Sequence, residues 1–168
     1  MIPELFWIPG PWRGHLAIAA RPRGGDWLED EVRGWHQAGL DMVISLLEKD
    51  EISELGLGYE AKIARSHSID FTSFPIPDRG VPASMQEAVL FLRRIGAALD
   101  EGKNVAVHCR QGIGRSGLIA GGVLVASGAG VEKALDAVSA ARGESVPETR
   151  EQLHWLQHLP AELLVSAR

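Results

Sequence analysis

A chain of 168 residues, 45% apolar and 23% charged, is long enough to bury one sizeable core and ordinary enough in composition to form one globular domain over 1–168. Its net charge of −5 argues against nucleic acid or an anionic membrane as a partner, and a lone cysteine excludes an internal disulfide, which fits a reducing, cytoplasmic setting. The first residues lack the basic start of a signal peptide, and the longest uncharged run, Ser116 to Val131, is broken by glycines and too short to span a bilayer.

In chain order, residues 1–15 are dense in proline, glycine and aromatics and read as an irregular N-terminal segment packed by Phe6, Trp7 and Trp12. Leu16–Ala19 is a candidate strand. Asp26 and Glu29 have the form of a capping box, after which Leu28, Val32 and Trp35 recur at helical spacing up to Gly39. Met42–Leu47 is a near-continuous apolar run suited to a strand covered on both faces. Glu48, Asp50, Glu51 and Glu54 mark the charged start of a short helix with Ile52 and Leu55 inward, and Tyr59–Arg65 adds another turn or two. Ile69–Phe74 alternates as a strand and runs into Pro75–Pro82, where three prolines and a glycine exclude regular structure.

From Ser84 a helix carries Met85, Ala88, Val89, Leu92, Ile95 and Leu99 on one stripe. A strand over 104–108 follows, then a glycine-punctuated loop and a helix apolar on every side from Leu118 to Ala126. A further helix bears Val131, Ala134, Leu135, Val138 and Ala141 and stops at Gly143. The last is expected to start near Ser145, with Glu148 closing a capping box, and to turn Leu153, Leu156 and Leu159 inward. Strands alternating with helices predict an α/β domain whose central, largely parallel sheet is flanked by helices. In such sheets, sites lie beyond the C-terminal strand ends, where Asp78 and Cys109 both fall.

His108-Cys109-Arg110-Gln111-Gly112-Ile113-Gly114-Arg115-Ser116-Gly117 puts a thiol at the mouth of a helix N-terminus, a place that binds oxyanions and favours a thiolate. Phosphate esters need a nucleophile, neutralisation of the non-bridging oxygens and an acid for the leaving group. Cys109 suits the first. The loop Arg110, Gln111, Gly112, Ile113 and Gly114 can turn successive N–H groups inward, with Gly112 and Gly114 free to take positive φ. Arg115 adds a planar fork for two oxygens. Ser116 is expected to donate a hydrogen bond to the sulfur, and His108 to orient the loop without touching the reacting atoms. Chance occurrence of His, Cys, Gly, Arg and Ser at this spacing is on the order of one in 10⁵ from ordinary residue usage.

The stretch 108–117 resembles the signature loop of cysteine-dependent protein tyrosine phosphatases, and the size and layout from about Leu16 to His158 resemble their dual-specificity branch, cyclin-dependent kinase inhibitor 3-like members in particular. The resemblance implies an acid aspartate on a mobile loop roughly thirty residues before the cysteine. Asp78, in Pro77-Asp78-Arg79-Gly80, matches, and a carboxylate on a Pro/Gly loop at that sheet edge can protonate a leaving oxygen. Asp70, inside a strand, is the weaker candidate. The resemblance also implies a glutamine that positions the hydrolytic water. Gln152 fits the second of the family's two glutamines, whereas Glu148 stands where the first is expected and is set aside as a helix cap.

His154 and His158 lie four apart on a helix, but with no third ligand they read as a solvated face rather than a metal site, and no cofactor is expected. With one basic residue in the loop, Arg110, the expected substrate is a phosphoprotein carrying phosphotyrosine, with phosphoserine and phosphothreonine open. A phosphoinositide or small phosphorylated metabolite is the alternative, and a catalytically silent phosphate-binding protein the rival from another class. Oligomeric state is not legible.

Overall fold

The computed structural model describes residues 2–166. A five-stranded sheet runs through the middle, built of β1 (Leu5–Ile8), β2 (Leu16–Ala19), β3 (Met42–Ser45), β4 (Asp70–Ser73) and β5 (Val105–His108). Their spatial order is β1-β2-β5-β3-β4, all parallel except the antiparallel edge strand β1. The architecture is the single α/β domain expected. The helices are α1 (Leu28–Gln37), α2 (Lys49–Glu54), α3 (Glu60–Ser66), α4 (Met85–Asp100), α5 (Gly114–Ala126), α6 (Val131–Arg142) and α7 (Arg150–Ser166).

Side-chain alternation along the strands divides the core in two. Leu16, Ile18, Ile44, Val105, Val107 and Cys109 face the layer of α4, α5, α6 and α7. Ala17, Ala19, Val43 and Ala106 face the smaller layer of α1 and α3. Central β5 and the apolar helix α5 are the most enclosed elements, every residue from Gly114 to Val125 being buried. A helix apolar all round has no solvent face to offer, so it sits between α4, α6 and α7. No helix among the described residues is long and apolar enough to cross a membrane.

Three expectations need correction. The N-terminal segment is not wholly irregular. Leu5–Ile8 pairs with β2 as an edge strand, where the flanking Pro3 and Pro9 remove no ladder bond. Trp12 is buried as expected, its Nε1–H donating to Ser127 Oγ at 2.9 Å, but Trp7 on β1 is 41% exposed. At α1 no Asp26 cap forms. A 3-10 turn over Gly25–Trp27 leads directly into the helix. Finally α7 begins at Arg150, not near Ser145: Val146 precedes a proline, which disfavours helical backbone, and the cap is Thr149, whose Oγ1 accepts from the Gln152 N–H at 3.2 Å. Ser84 does cap α4, accepting from the Glu87 N–H at 3.1 Å, and Gly143 ends α6 at φ +76°.

Candidate active site

Beyond the C-terminal end of β5 the chain turns from strand to helix in five residues, Cys109 to Ile113. Gly112 makes the turn possible, since its φ of +70° is one that side chains resist. That turn brings the Gly112 N–H to 3.3 Å from the Cys109 sulfur. The loop carbonyls are drawn the other way: Arg142, in the last turn of α6, donates Nε–H to Gly112 O at 2.7 Å and Nη2–H to Gln111 O at 3.2 Å. Its guanidinium rests 4.2 Å from the ring centroid of Phe6 on β1. A cavity of about 70 Å³ opens above the loop, lined by Cys109, Arg110, Gln111, Gly114 and Arg115 together with Asp78, Arg79 and Glu148. Gly112 turns beneath the sulfur, and Ile113 packs against the larger core.

Arg115 is buried, and three of its five N–H groups make hydrogen bonds. Nη1 donates to Glu51 Oε2 at 2.8 Å and to Ile76 O at 2.9 Å, and Nη2 donates to Glu51 Oε1 at 2.8 Å. Asp78 Oδ1 lies 3.2 Å from Nη2 as an ion pair. Burial opposes the guanidinium charge. The two-pronged bond to Glu51, the neighbouring Cys109 sulfur and Asp78 outweigh it and push Arg115 above its ordinary value. Glu51 is held below the ordinary carboxylate range by the Arg115 bond, against its own desolvation, helped by the Glu48 backbone N–H and by Arg110.

The structure thus brings Cys109, Arg115 and Asp78 to one cavity. Asp78 is exposed, on a loop held by the Arg115 contact at one side. Asp70 is not a competitor: it opens β4 and so lies at the opposite edge of the sheet, 4.0 Å from Lys103 Nζ. Arg110 lines the cavity but turns its guanidinium to Glu54 at 3.5 Å and Glu51 at 3.8 Å. Three expected roles are not met. Ser116 Oγ is buried without a hydrogen-bond partner among the described residues, so it does not reach the sulfur, which takes the Gly112 N–H instead. The His108 ring does not bond the loop. Strand alternation turns it to the other face of the sheet, where Nε2 meets Glu60 on α3 and the ring lies 6.0 Å from Trp35. Only its backbone serves the edge, its carbonyl accepting from the Leu46 N–H at 3.0 Å.

Gln152 is fully buried, and its amide is occupied. Oε1 accepts from the N–H groups of Glu148 at 3.1 Å and Thr149 at 3.2 Å, and Nε2 donates to Gly80 O at 3.1 Å, tying α7 to the loop that carries Asp78. Glu148, set aside as a cap for α7, instead lines the cavity and pairs with Arg79 at 3.0 Å. His158 Nδ1 lies 2.8 Å from the His154 carbonyl, and the described residues hold no cluster of three His, Cys, Asp or Glu suited to a metal. Sequence reasoning missed Glu51, Arg142 and Glu148. For Glu51 one signal existed: it follows β3, the neighbour of β5, and so falls at the same sheet edge as the thiol.

Residues 17–129 match the Tc-R-P family model, described as the DSP-PTPase phosphatase of polymorphic toxin systems. "Protein tyrosine phosphatase domain-containing protein 1" of Danio rerio is 32% identical over 165 residues, 92% of this chain. The chain spans 22% and 56% of the lengths of two curated relatives it matches. Among solved structures, Tk-PTP in its active form is 30% identical, with a TM-score of 0.78 and coverage of 96% of this chain and 99% of that one. A form of kinase associated phosphatase with its catalytic-site cysteine changed to serine shares the fold at a TM-score of 0.88 and 18% identity, covering 98% and 97% of the two chains. The family match runs from β2 through the loop 109–113 and α5, and so includes the elements that hold the thiol and guanidinium, and the chain belongs to the dual-specificity-type branch of the cysteine-dependent protein tyrosine phosphatases.

Proposed function

We propose that this chain, as one phosphatase domain over 1–168, hydrolyses phosphate monoesters on protein through a cysteinyl-phosphate, in the reduced setting of the cytoplasm that an essential lone thiol suits. One observation carries the reading: Cys109, the Arg115 fork and Asp78 share a single small cavity, with Asp78 3.2 Å from Arg115. In the first step the Cys109 thiolate attacks phosphorus. The bond to the ester oxygen breaks, and that oxygen takes a proton from Asp78. Arg115 and the inward N–H groups of Arg110 to Gly114 neutralise the non-bridging oxygens. In the second step water attacks phosphorus, the S–P bond breaks, and the thiolate returns.

The rim supports a singly phosphorylated peptide, with phosphotyrosine first and phosphoserine or phosphothreonine open. Its cations are already matched by acids, Arg79 with Glu148 and Arg110 with Glu54 and Glu51, so a second phosphate would have to compete for them. A second reading, a phosphoinositide or small metabolite, draws on the likeness in fold to PTPMT1 solved with PI(5)P, at a TM-score of 0.73 and 21% identity. A panel of phosphotyrosine and phosphothreonine peptides, inositides and nucleotides separates the two by relative kcat/KM. On an aryl phosphate, Cys109→Ser is expected to lose turnover while still binding phosphate. Undiminished hydrolysis by that variant would end the covalent mechanism, and absence of turnover by the wild type on every substrate would leave a phosphate-binding protein.

A further inference from the structure

We infer that Glu148 is a second carboxylate of the reaction centre, and that it accepts the proton of the water that hydrolyses the cysteinyl-phosphate. The inference rests on the two-step reading above and assigns its second half.

The residue expected to hold that water is otherwise engaged. Gln152 presents its carbonyl oxygen to two backbone N–H groups, those of Glu148 and Thr149, and its amide nitrogen to Gly80 O. Two N–H donors on one side and a carbonyl on the other leave no other assignment of the amide. Its acceptor is therefore spent on the backbone, and the side chain is fully buried. What Gln152 does is fix Glu148: it anchors the main chain of that residue against the cavity.

Glu148 uses its two oxygens differently. Oε1 accepts from Arg79 Nη1 at 3.0 Å, on the same loop as Asp78. Oε2 is turned toward Gly114, the first residue of α5, so closely that a methyl group there would collide with it. No donor among the described residues bonds Oε2, and the residue lines the cavity it shares with Cys109, Arg115 and Asp78. An acceptor held by a cation on one side and open on the other, beside the phosphate cradle, suits an incoming water. Arg79 also offsets the repulsion between this carboxylate and a bound phosphoryl group.

The step balances with no further reactant. Water oxygen bonds to phosphorus while one of its protons passes to Glu148 Oε2. The S–P bond breaks, its electron pair returns to Cys109 as thiolate, and inorganic phosphate leaves. Asp78 then serves the leaving oxygen of the first step and Glu148 the water of the second, and before the next turnover Glu148 returns its proton to solvent and Asp78 takes one up.

Stopped-flow hydrolysis of p-nitrophenyl phosphate, with acid quench and mass spectrometry of the protein, tests the assignment. Glu148→Gln keeps the shape and the bond from Arg79 but accepts no proton. It is expected to release the first equivalent of nitrophenolate as fast as the wild type. Steady turnover is then expected to fall about a hundredfold, with Cys109 accumulating in the phosphorylated form. Glu148→Ala should behave alike, and Glu148→Asp should recover part of the second step only. A Glu148→Gln enzyme with wild-type steady turnover, or one slowed in the nitrophenolate burst with no phosphoprotein trapped, overturns the inference. Failure of the two-step reading itself would look different: Cys109→Ser would stay active and no variant would trap phosphocysteine.

Discussion

Glu51 meets two demands with one carboxylate. Its Oε2 accepts from the Glu48 N–H at 2.9 Å, closing the first turn of α2, and the same oxygen, with Oε1, takes both arms of the Arg115 fork. The guanidinium is thereby held by both arms, and a buried charge is matched. The folded-state carboxyl lies below its ordinary value, so the pair stabilises the fold in full above the ordinary carboxylate range and loses its contribution as pH falls through the lowered value. Arg115, raised above its own ordinary value, titrates too far up to narrow that window. Glu51→Gln should cost on the order of 3 kcal/mol in urea unfolding at neutral pH, with the gap from wild type closing as the pH drops below the carboxylate range. A gap that stays constant into acid would show that Glu51 does not act through its charge. None of this was legible locally. Glu51 and Arg115 are sixty-odd residues apart, and in the chain Glu51 is one acid among four at a helix start. The thiol, its glycines and the arginine were legible because a helix-mouth anion site is built from consecutive residues. Asp78 was legible because its loop ends one strand of the same parallel sheet.

Helices place the loop as firmly as its own glycines do. Arg142 is the last residue of α6 and reaches two successive loop carbonyls, those of Gln111 and Gly112, while lying on Phe6 of β1. With those carbonyls held by α6, the Gly112 N–H is turned to the Cys109 sulfur. Arg142→Ala should weaken competitive inhibition by inorganic phosphate and lower kcat/KM for an aryl phosphate by roughly tenfold, the worth of hydrogen bonds to a charged group. Arg142→Lys should not rescue it, since a point charge cannot reach both carbonyls as a fork does. Equal inhibition constants in all three proteins would reduce Arg142 to a stabilising contact, which thermal unfolding reads separately. The long helices α4, α5 and α6 were legible from their stripes, caps and stops. The edge strand β1 was not, because four residues between prolines carry too little pattern. The start of α7 was misread because Ser145 and Glu148 imitate a cap that Pro147 forbids.

At the scale of the molecule, parallel strands deliver their C-terminal ends to one rim, and the turn after each supplies a part: Glu51 after β3, Asp78 after β4, Cys109 after β5. Only the order of strands in space adds Glu51 to that set. The same whole-chain view fixes the response to oxidant. The sequence holds one cysteine, so a sulfenic acid at Cys109 has no second thiol to close on and must meet a backbone nitrogen or an external thiol. Peroxide is expected to abolish aryl phosphatase activity, and dithiothreitol to restore it while oxidation is brief. Full activity after stoichiometric oxidation of Cys109, followed by mass spectrometry, would dissociate the thiol from the reaction.

His108 and Cys109 are adjacent in sequence yet face different cores, the imidazole beside Glu60 and Trp35, the thiol over α5. β5 is gripped on both flanks, Val105 opposite Leu16 of β2 and Met42 of β3. Its length therefore cannot be adjusted by one residue. Deleting a single position from Val105 to Val107 would rotate the strand residues after it to the opposite face, sending the thiol into the smaller core and the imidazole into the larger one. The family's chemistry is tied in this way to a count of residues along one buried strand, and insertions can be absorbed only outside it.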